Sequence, residues 1–233
     1  MIRDTLRDFI NLIYPLTDFV EGKNGRYISS ETFSKYLPKN FIQRCHVCGG
    51  KCLHGLAHTD CLEQTNLDGL IHVTYYNNLA KDLIKFGKYE FYFEIFYEIG
   101  EIMSEFLVKF FKFKQPLLVP IPLYKRKLRQ RGFNQAEIIA QRISEKTKIE
   151  SINLLQRIKS TKTQVGMHYL ERKSNLINSF KVSAKVGSFL DREIILVDDV
   201  FTSGATLEEC AKILKENGIS KVYGYTFAKA RSL

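Results

Sequence analysis

Two clusters of residues in this 233-residue chain have the types and spacing that chemistry requires. The first is ILVDDVFTSGAT, Ile195 to Thr206. An apolar run ends in two adjacent carboxylates, Asp198 and Asp199, and a turn of hydroxyls and glycine follows. Thr202, Ser203, Gly204, Ala205 and Thr206 fall between an expected strand and an expected helix. Small residues let backbone N–H groups approach an anion closely, hydroxyls add donors, and the helix start adds the positive end of a dipole. A monophosphate suits that loop. Carboxylates just upstream accept hydrogen bonds from two neighbouring hydroxyls and hold a divalent cation through water. Phosphate on one side and diol on the other describe a ribose 5-phosphate. Thr206 and Glu209 also match a capping box, which accounts for those two residues and leaves the acids unexplained. No Gly-Lys-Ser/Thr follows, so the loop is not a nucleoside triphosphate P-loop. Its single glycine makes no dinucleotide fingerprint.

The second cluster is CHVCGGKCLHGLAHTDC, with Cys45, Cys48, Cys52, His54, His58 and Cys61. Four of the five cysteines crowd here and Cys210 stands apart. In a cytoplasmic chain such clustering points to metal rather than disulfides. Cys45 and Cys48 form a two-thiolate knuckle, and His58 and Cys61 repeat its spacing. Tetrahedral zinc with three sulfurs and one nitrogen fits, fully ligated and therefore structural. Cys52 and His58 compete for the third ligand position.

The elements that must position these residues follow from periodicity. TLRDFINLIYP reads as a short amphipathic helix, EGKNGRY as a turn, and residues 45–61 as a metal-stapled loop. LIHVTYY alternates like a strand. Leu79, Leu83 and Phe86 recur at helical spacing, and FYFEIFYEIGEIMSEFLVKFF forms a helix whose aromatics belong to the core. PLLVPIP and REIILVDD are short buried strands. Ala136, Ile139, Ala140 and Ile143 make one helical stripe; Leu207, Cys210, Ala211 and Leu214 make another, with Gly218 as its C-terminal cap. KVYGYTFAKA is a further strand. Strands alternating with helices give an α/β fold with a parallel sheet, and such sheets bind ligands beyond the carboxyl ends of their strands.

Hydrophobic residues are 45% of the chain, enough for a substantial core. No apolar run reaches the ~18 residues of a membrane helix, and the N-terminal stretch lacks a secretory pattern, so a cytoplasmic location is expected. The formal charge of +10 suits an anionic partner. KRKLRQRG, Lys125 to Gly132, is the densest basic strip. With Phe133 as a stacking surface it also suits single-stranded nucleic acid.

ILVDDVFTSGAT resembles the phosphoribosyl pyrophosphate signature of type I phosphoribosyltransferases. VPIPLYKRKLRQRGFNQAEIIA, RIKSTKTQVGMHYLERKSNLINSF and LDGLIHVTYYNNLAKDLIKFGKY resemble segments of the ComF family, phosphoribosyltransferase-like proteins linked to competence and DNA uptake. The resemblance covers roughly residues 42–230. It implies a phosphoribosyltransferase-like α/β domain over 67–233, preceded by an N-terminal segment, 1–66, that carries the zinc module. It further implies phosphoribosyl pyrophosphate with magnesium as ligand. Asp198 and Asp199 would hold the ribose hydroxyls, and residues 202–206 the 5-phosphate. VPIPLYKRK becomes the pyrophosphate loop, through the backbone from Ile121 and the charge of Lys125 or Arg126. Arg157, Lys159, Lys162 and Gln164 fall in the segment that closes over the site in the fold it resembles. Many relatives carry Cys-x-x-Cys where this chain has HTDC, which favours His58 over Cys52 and gives Cys45, Cys48, His58 and Cys61 as the zinc ligands. Expected partners beyond the sugar phosphate are single-stranded DNA, DNA-uptake proteins and a second copy of the chain in a homodimer. No residue stands out as a general base for an acceptor.

Overall fold

The structure, a computed structural model, describes residues 17–23, 25–36, 42–90, 92–110, 113–160 and 176–230. The expected helix over TLRDFINLIYP lies outside them. The chain separates into two compact units, Met1–Asn40 and Phe41–Leu233, and the cysteine segment lies in the second. In the first unit Asp18 organises the turn: Oδ1 accepts from the N–H groups of Val20 and Glu21, at 2.9 and 2.7 Å, and from the Thr32 hydroxyl at 2.8 Å. Helix α1 (Ser30–Tyr36) follows.

The second unit is α/β. Four parallel strands, β1 (Gly69–Tyr75), β2 (Pro116–Pro120), β5 (Glu193–Phe201) and β6 (Lys221–Lys229), stand in the order β1-β6-β5-β2. The crossovers carry helices α2 (Asn78–Tyr89), α3 (Glu94–Phe110), α4 (Lys125–Arg131), α5 (Gln135–Thr147) and α6 (Ala205–Glu216). A short antiparallel ribbon, β3 (Leu155–Arg157) with β4 (Phe180–Val182), brackets the segment between them. Asn77 and Asn134 cap α2 and α5, each accepting a backbone N–H from inside its helix, Ala80 at 2.9 Å and Ala136 at 3.1 Å.

Both expected stripes are in the core: Ala136, Ile139, Ala140 and Ile143 are fully buried, as are Leu207, Cys210, Ala211 and Leu214. Three readings are corrected. β1 does not alternate: residues 69–74 are all buried, so both of its faces are covered. On α2 the buried stripe is Ala80, Leu83, Ile84 and Gly87, rotated from Leu79 and Phe86. Gly87 belongs to it because a Cβ there would meet the Phe96 ring of α3 at 2.7 Å. The aromatics of 91–111 are not all core: Phe96 is buried, whereas Tyr92 and Phe93 are exposed.

Candidate functional site

Parallel strands deliver their carboxyl ends to one edge of the sheet, so the two segments singled out after β2 and β5 become neighbours although nearly eighty residues separate them. Successive residues on a strand point to opposite faces. Asp198 and Asp199 therefore part. Asp198 shares its face with Ile194 and Leu196, packed on α6. It lines a pocket with Val200, Phe201, Thr202, Ser203, Gly204, Ala205, Thr206 and Leu207. Asp199, only 3% exposed, turns to the other face. There it meets the Lys88 ammonium at 2.5 Å and accepts from Gln135 Nε2 at 3.1 Å.

The loop has the form an anion needs. Gly204 precedes α6 at φ +75°, and a Cβ on it would lie 2.6 Å from the Phe201 ring, so glycine is required by space as well as by backbone. The first amides of a helix have no intrahelical acceptor. Those of Ala205, Thr206 and Leu207 are left to the pocket, and the ladder starts with Glu208 N–H donating to Gly204 at 2.9 Å. The capping box does not form: Gly204 is the N-cap with no side-chain cap bond, and Glu209 instead accepts the Asn178 N–H at 2.8 Å.

Burial, and then the charge of Asp199, push the Asp198 carboxyl well above the usual range. Burial presses Asp199 the same way, but the Lys88 charge and hydrogen bonds from Asp198, Lys88 and Gln135 outweigh it and hold Asp199 below its ordinary value. One acid of the pair is thus neutralised inside the protein, and the other faces the pocket.

On the β2 side Ile121 is buried and its N–H donates to the Val197 carbonyl at 3.0 Å. Pro122 has no N–H, so the backbone donors available to an anion start at Leu123. Asn134 fixes this turn by donating to the Ile121 carbonyl at 3.0 Å. Lys125 and Arg126 are exposed. Lys127 and Arg131, further along α4, are half-buried. Burial, and then the nearness of Arg157, Arg131 and Lys88, lower the Lys127 ammonium. Arg131 hydrogen-bonds Gln135 and lies 5.7 Å over the Tyr89 ring. Arg157 stacks at 5.3 Å on Phe180, half-buried, with Cys210 and Asp198 among its neighbours. Lys162 and Gln164 lie outside the described residues. Sequence reasoning missed Lys88, Gln135 and Lys127. Lys88 had a signal, four residues after buried Ile84 on the same helical face.

Cys45 Sγ, Cys48 Sγ, a ring nitrogen of His58 and Cys61 Sγ lie within 4.8 Å of one another, a set able to hold a structural metal such as zinc. Cys52 is outside this group. The knuckle closes through Cys45 N–H to Gly50 and Gly49 N–H to Cys45, both 2.9 Å. His58 Nε2 lies 3.0 Å from the Lys51 carbonyl, which fixes Nε2–H as donor and leaves Nδ1, 3.2 Å from Cys48 Sγ, for the metal. Gln43 ties the loop to β1, donating to the His72 carbonyl at 3.0 Å and accepting its N–H at 3.3 Å.

No family model matches the chain. Among individual proteins, competence protein F of Haemophilus influenzae is 30% identical over 216 residues, 90% of this chain and 92% of that protein. The chain belongs to the ComF family. Competence protein ComFC of Bacillus subtilis is 31% identical over 143 residues, 61% of this chain and 56% of its own length. The DNA utilization protein YhgH of Escherichia coli is 34% identical over 106 residues, 45% of each chain. Within this ComF-family chain no described helix is long and apolar enough to cross a membrane.

Proposed function

We propose that this ComF-family chain binds phosphoribosyl pyrophosphate with magnesium, transfers phosphoribose to a nitrogenous acceptor, and serves competence and DNA utilisation, as its relatives' names suggest. The observation that carries the proposal is the pocket in which Asp198 faces the amides and hydroxyls of residues 202–207. The 5-phosphate sits on the loop and the N-terminus of α6, and Asp198 accepts from the ribose hydroxyls. Lys127, Arg131 and Arg157 supply positive charge where a pyrophosphate leaves. Breaking the C1–O bond builds positive charge on the ribose and negative charge on that leaving group, and preorganised cations stabilise the latter. Asp198 would hold magnesium, which would supply charge neutralisation to the pyrophosphate. Asp199 acts from behind, holding Lys88 and Gln135 at the base of the site. By the resemblance, Lys162 and Gln164 would contact the pyrophosphate or the base.

Ligand that binds only the folded state raises its stability, by about 2.7 kcal/mol at a hundred times Kd. Thermal unfolding of the zinc-loaded chain is therefore expected at higher temperature with phosphoribosyl pyrophosphate and magnesium. Magnesium alone or ribose alone should leave the transition in place. An unmoved transition at millimolar ligand contradicts the proposal.

One observation favours a second reading, an accessory protein for single-stranded DNA. Tyr89 is 69% exposed, Tyr92 and Phe93 are exposed beside it in sequence, and Arg131 lies over the Tyr89 ring at the end of a helix with no acidic residue. Aromatic faces interleaved with cations stack bases and track phosphates. Under that reading, oligonucleotide affinity falls steeply with salt and is indifferent to phosphoribosyl pyrophosphate.

A further inference from the structure

Between the metal-ligand residues Cys45 and Cys48 stands His46, whose side chain is 3% exposed and faces the phosphate loop rather than the metal cluster. Its Nε2 lies 2.8 Å from the Thr65 hydroxyl, which in turn donates to the Glu208 carboxylate. The other Glu208 oxygen accepts from the Asn66 N–H at 2.8 Å and from Asn66 Nδ2 at 3.3 Å. Glu208 stands in the first turn of α6, and its own N–H closes on Gly204. The His46 ring also packs edge-on against Phe201, centroids 6.4 Å apart, and Lys229 Nζ lies 5.8 Å over that same ring. Phe201 is the ring that leaves no room for a Cβ on Gly204. Two routes, one of hydrogen bonds and one of packed rings, thus run from the knuckle to the two ends of the loop.

We propose that His46, Thr65 and Glu208 are positioning residues for the phosphate loop, and that metal in the Cys45–Cys48–His58–Cys61 cluster sets the order of residues 202–208. An acid in the first turn of a helix is favourable in any case. That preference does not explain why the Glu208 carboxylate collects a hydroxyl, a backbone N–H and an amide from residues 65 and 66, with His46 behind them. The knuckle is too short to hold its own shape. A loop of this length recovers little of the entropy lost on ordering, so a bound ion fixes where His46 stands. With the ion removed, Thr65 loses its partner on one side, Phe201 loses its edge contact, and the loop loosens while the sheet beneath it stays packed.

The binding consequence rests on the function proposed above, whereas the coupling itself does not. The test is therefore amide hydrogen exchange on the full chain without ligand, zinc-loaded and after chelation. Amides of residues 208–211, whose hydrogen bonds close the first turn of α6 on the loop, Glu208 N–H on the Gly204 carbonyl first, are expected to exchange about tenfold faster on stripping, with those of Ile194–Val197 and Val222–Phe227 unchanged. Glu208→Ala is expected to reproduce the acceleration with its zinc content intact, and Glu208→Gln, which keeps one acceptor, to fall between. Unchanged loop exchange on stripping overturns the proposal. So does release of the sheet amides together with the loop, which makes the ion a support of the whole fold. Zinc-replete Glu208→Ala with wild-type loop protection also overturns it. Affinity for phosphoribosyl pyrophosphate, read separately, is expected to fall about tenfold in zinc-loaded Glu208→Ala. If no variant binds the ligand while the exchange pattern holds, it is the function that fails and the coupling that stands.

Discussion

Asp198 and Asp199 are adjacent and chemically identical, yet the strand divides them. Asp199 finds Lys88 and Gln135 within the protein; Asp198 accepts the Asp199 N–H at 2.9 Å, but burial and its neighbour's charge dominate there, and it faces the pocket. The raised Asp198 carboxyl makes a prediction with a definite sign. A group whose folded pKa exceeds its unfolded value, ~3.9 for Asp, contributes its full stability only below that unfolded value. The contribution is lost as pH rises through the folded one. At neutral pH the buried Asp198 carboxyl therefore weakens the ligand-free fold relative to acid. Asp198→Asn is expected to melt a few degrees above wild type near neutrality, the gap closing as pH falls towards the unfolded value. A variant that melts below wild type at neutral pH contradicts this. Such a residue, costly to the fold and facing a pocket, is the pattern of a site that trades stability for binding. The pair was legible from residue types at a strand end. Its division was legible only in the period of the strand, which the chemical reading of two acids together had passed over.

At the scale of elements, the stripes of α5 and α6 were plain in the sequence because alanine and branched aliphatics recur there with little competition. The α2 stripe was not, because it runs through a glycine. Leu79 and Phe86 are larger and drew the reading one step around the helix, whereas the packing needs Gly87 so that Phe96 of α3 can approach. The capping box at Thr206 and Glu209 failed for a similar reason: local spacing permits it, but Glu209 is engaged by Asn178 and the helix starts from a left-handed glycine. Lys88 joins α2 to β5 across such an interface. Removing one partner of a buried ion pair leaves the other uncompensated, at a cost of about 3–5 kcal/mol. Lys88→Met is expected to destabilise by about that much in denaturant unfolding. Adding Asp199→Asn should recover most of the loss, with a coupling energy above ~1 kcal/mol in the double-mutant cycle. A neutral Lys88→Met would mean that the pair is not formed in solution.

At the scale of the whole molecule, the parallel order β1-β6-β5-β2 is what assembles the site, since it brings the turns after β2 and β5 to one edge. The α/β class and the position of the loop 202–206 between strand and helix were readable from alternating strand and helix patterns. The particular cations were not. Lys125 and Arg126 are the first of a basic run, but helical geometry leaves these two in solvent and half-buries Lys127, near Arg157 and Lys88, and Arg131, bonded to Gln135. The metal-ligating character of the cysteine cluster was readable from its spacing, which left Cys52 and His58 open as third ligand; only the resemblance favoured His58, the residue that stands with Cys45, Cys48 and Cys61 in the structure. The tie from His46 to Glu208 joins residues more than 140 positions apart and has no local pattern. It emerges only once the knuckle is folded against the sheet.

The central claim is that Asp198 and the loop of residues 202–207 form a site for phosphoribosyl pyrophosphate. Calorimetric titration of that ligand with magnesium into the zinc-loaded chain, and into Asp198→Asn, tests it most directly. Binding in the micromolar range, about −8 kcal/mol, weakened at least about tenfold in a variant that remains folded, is the predicted result. No heat of binding to the folded wild type, or equal affinity in the two proteins, would contradict it.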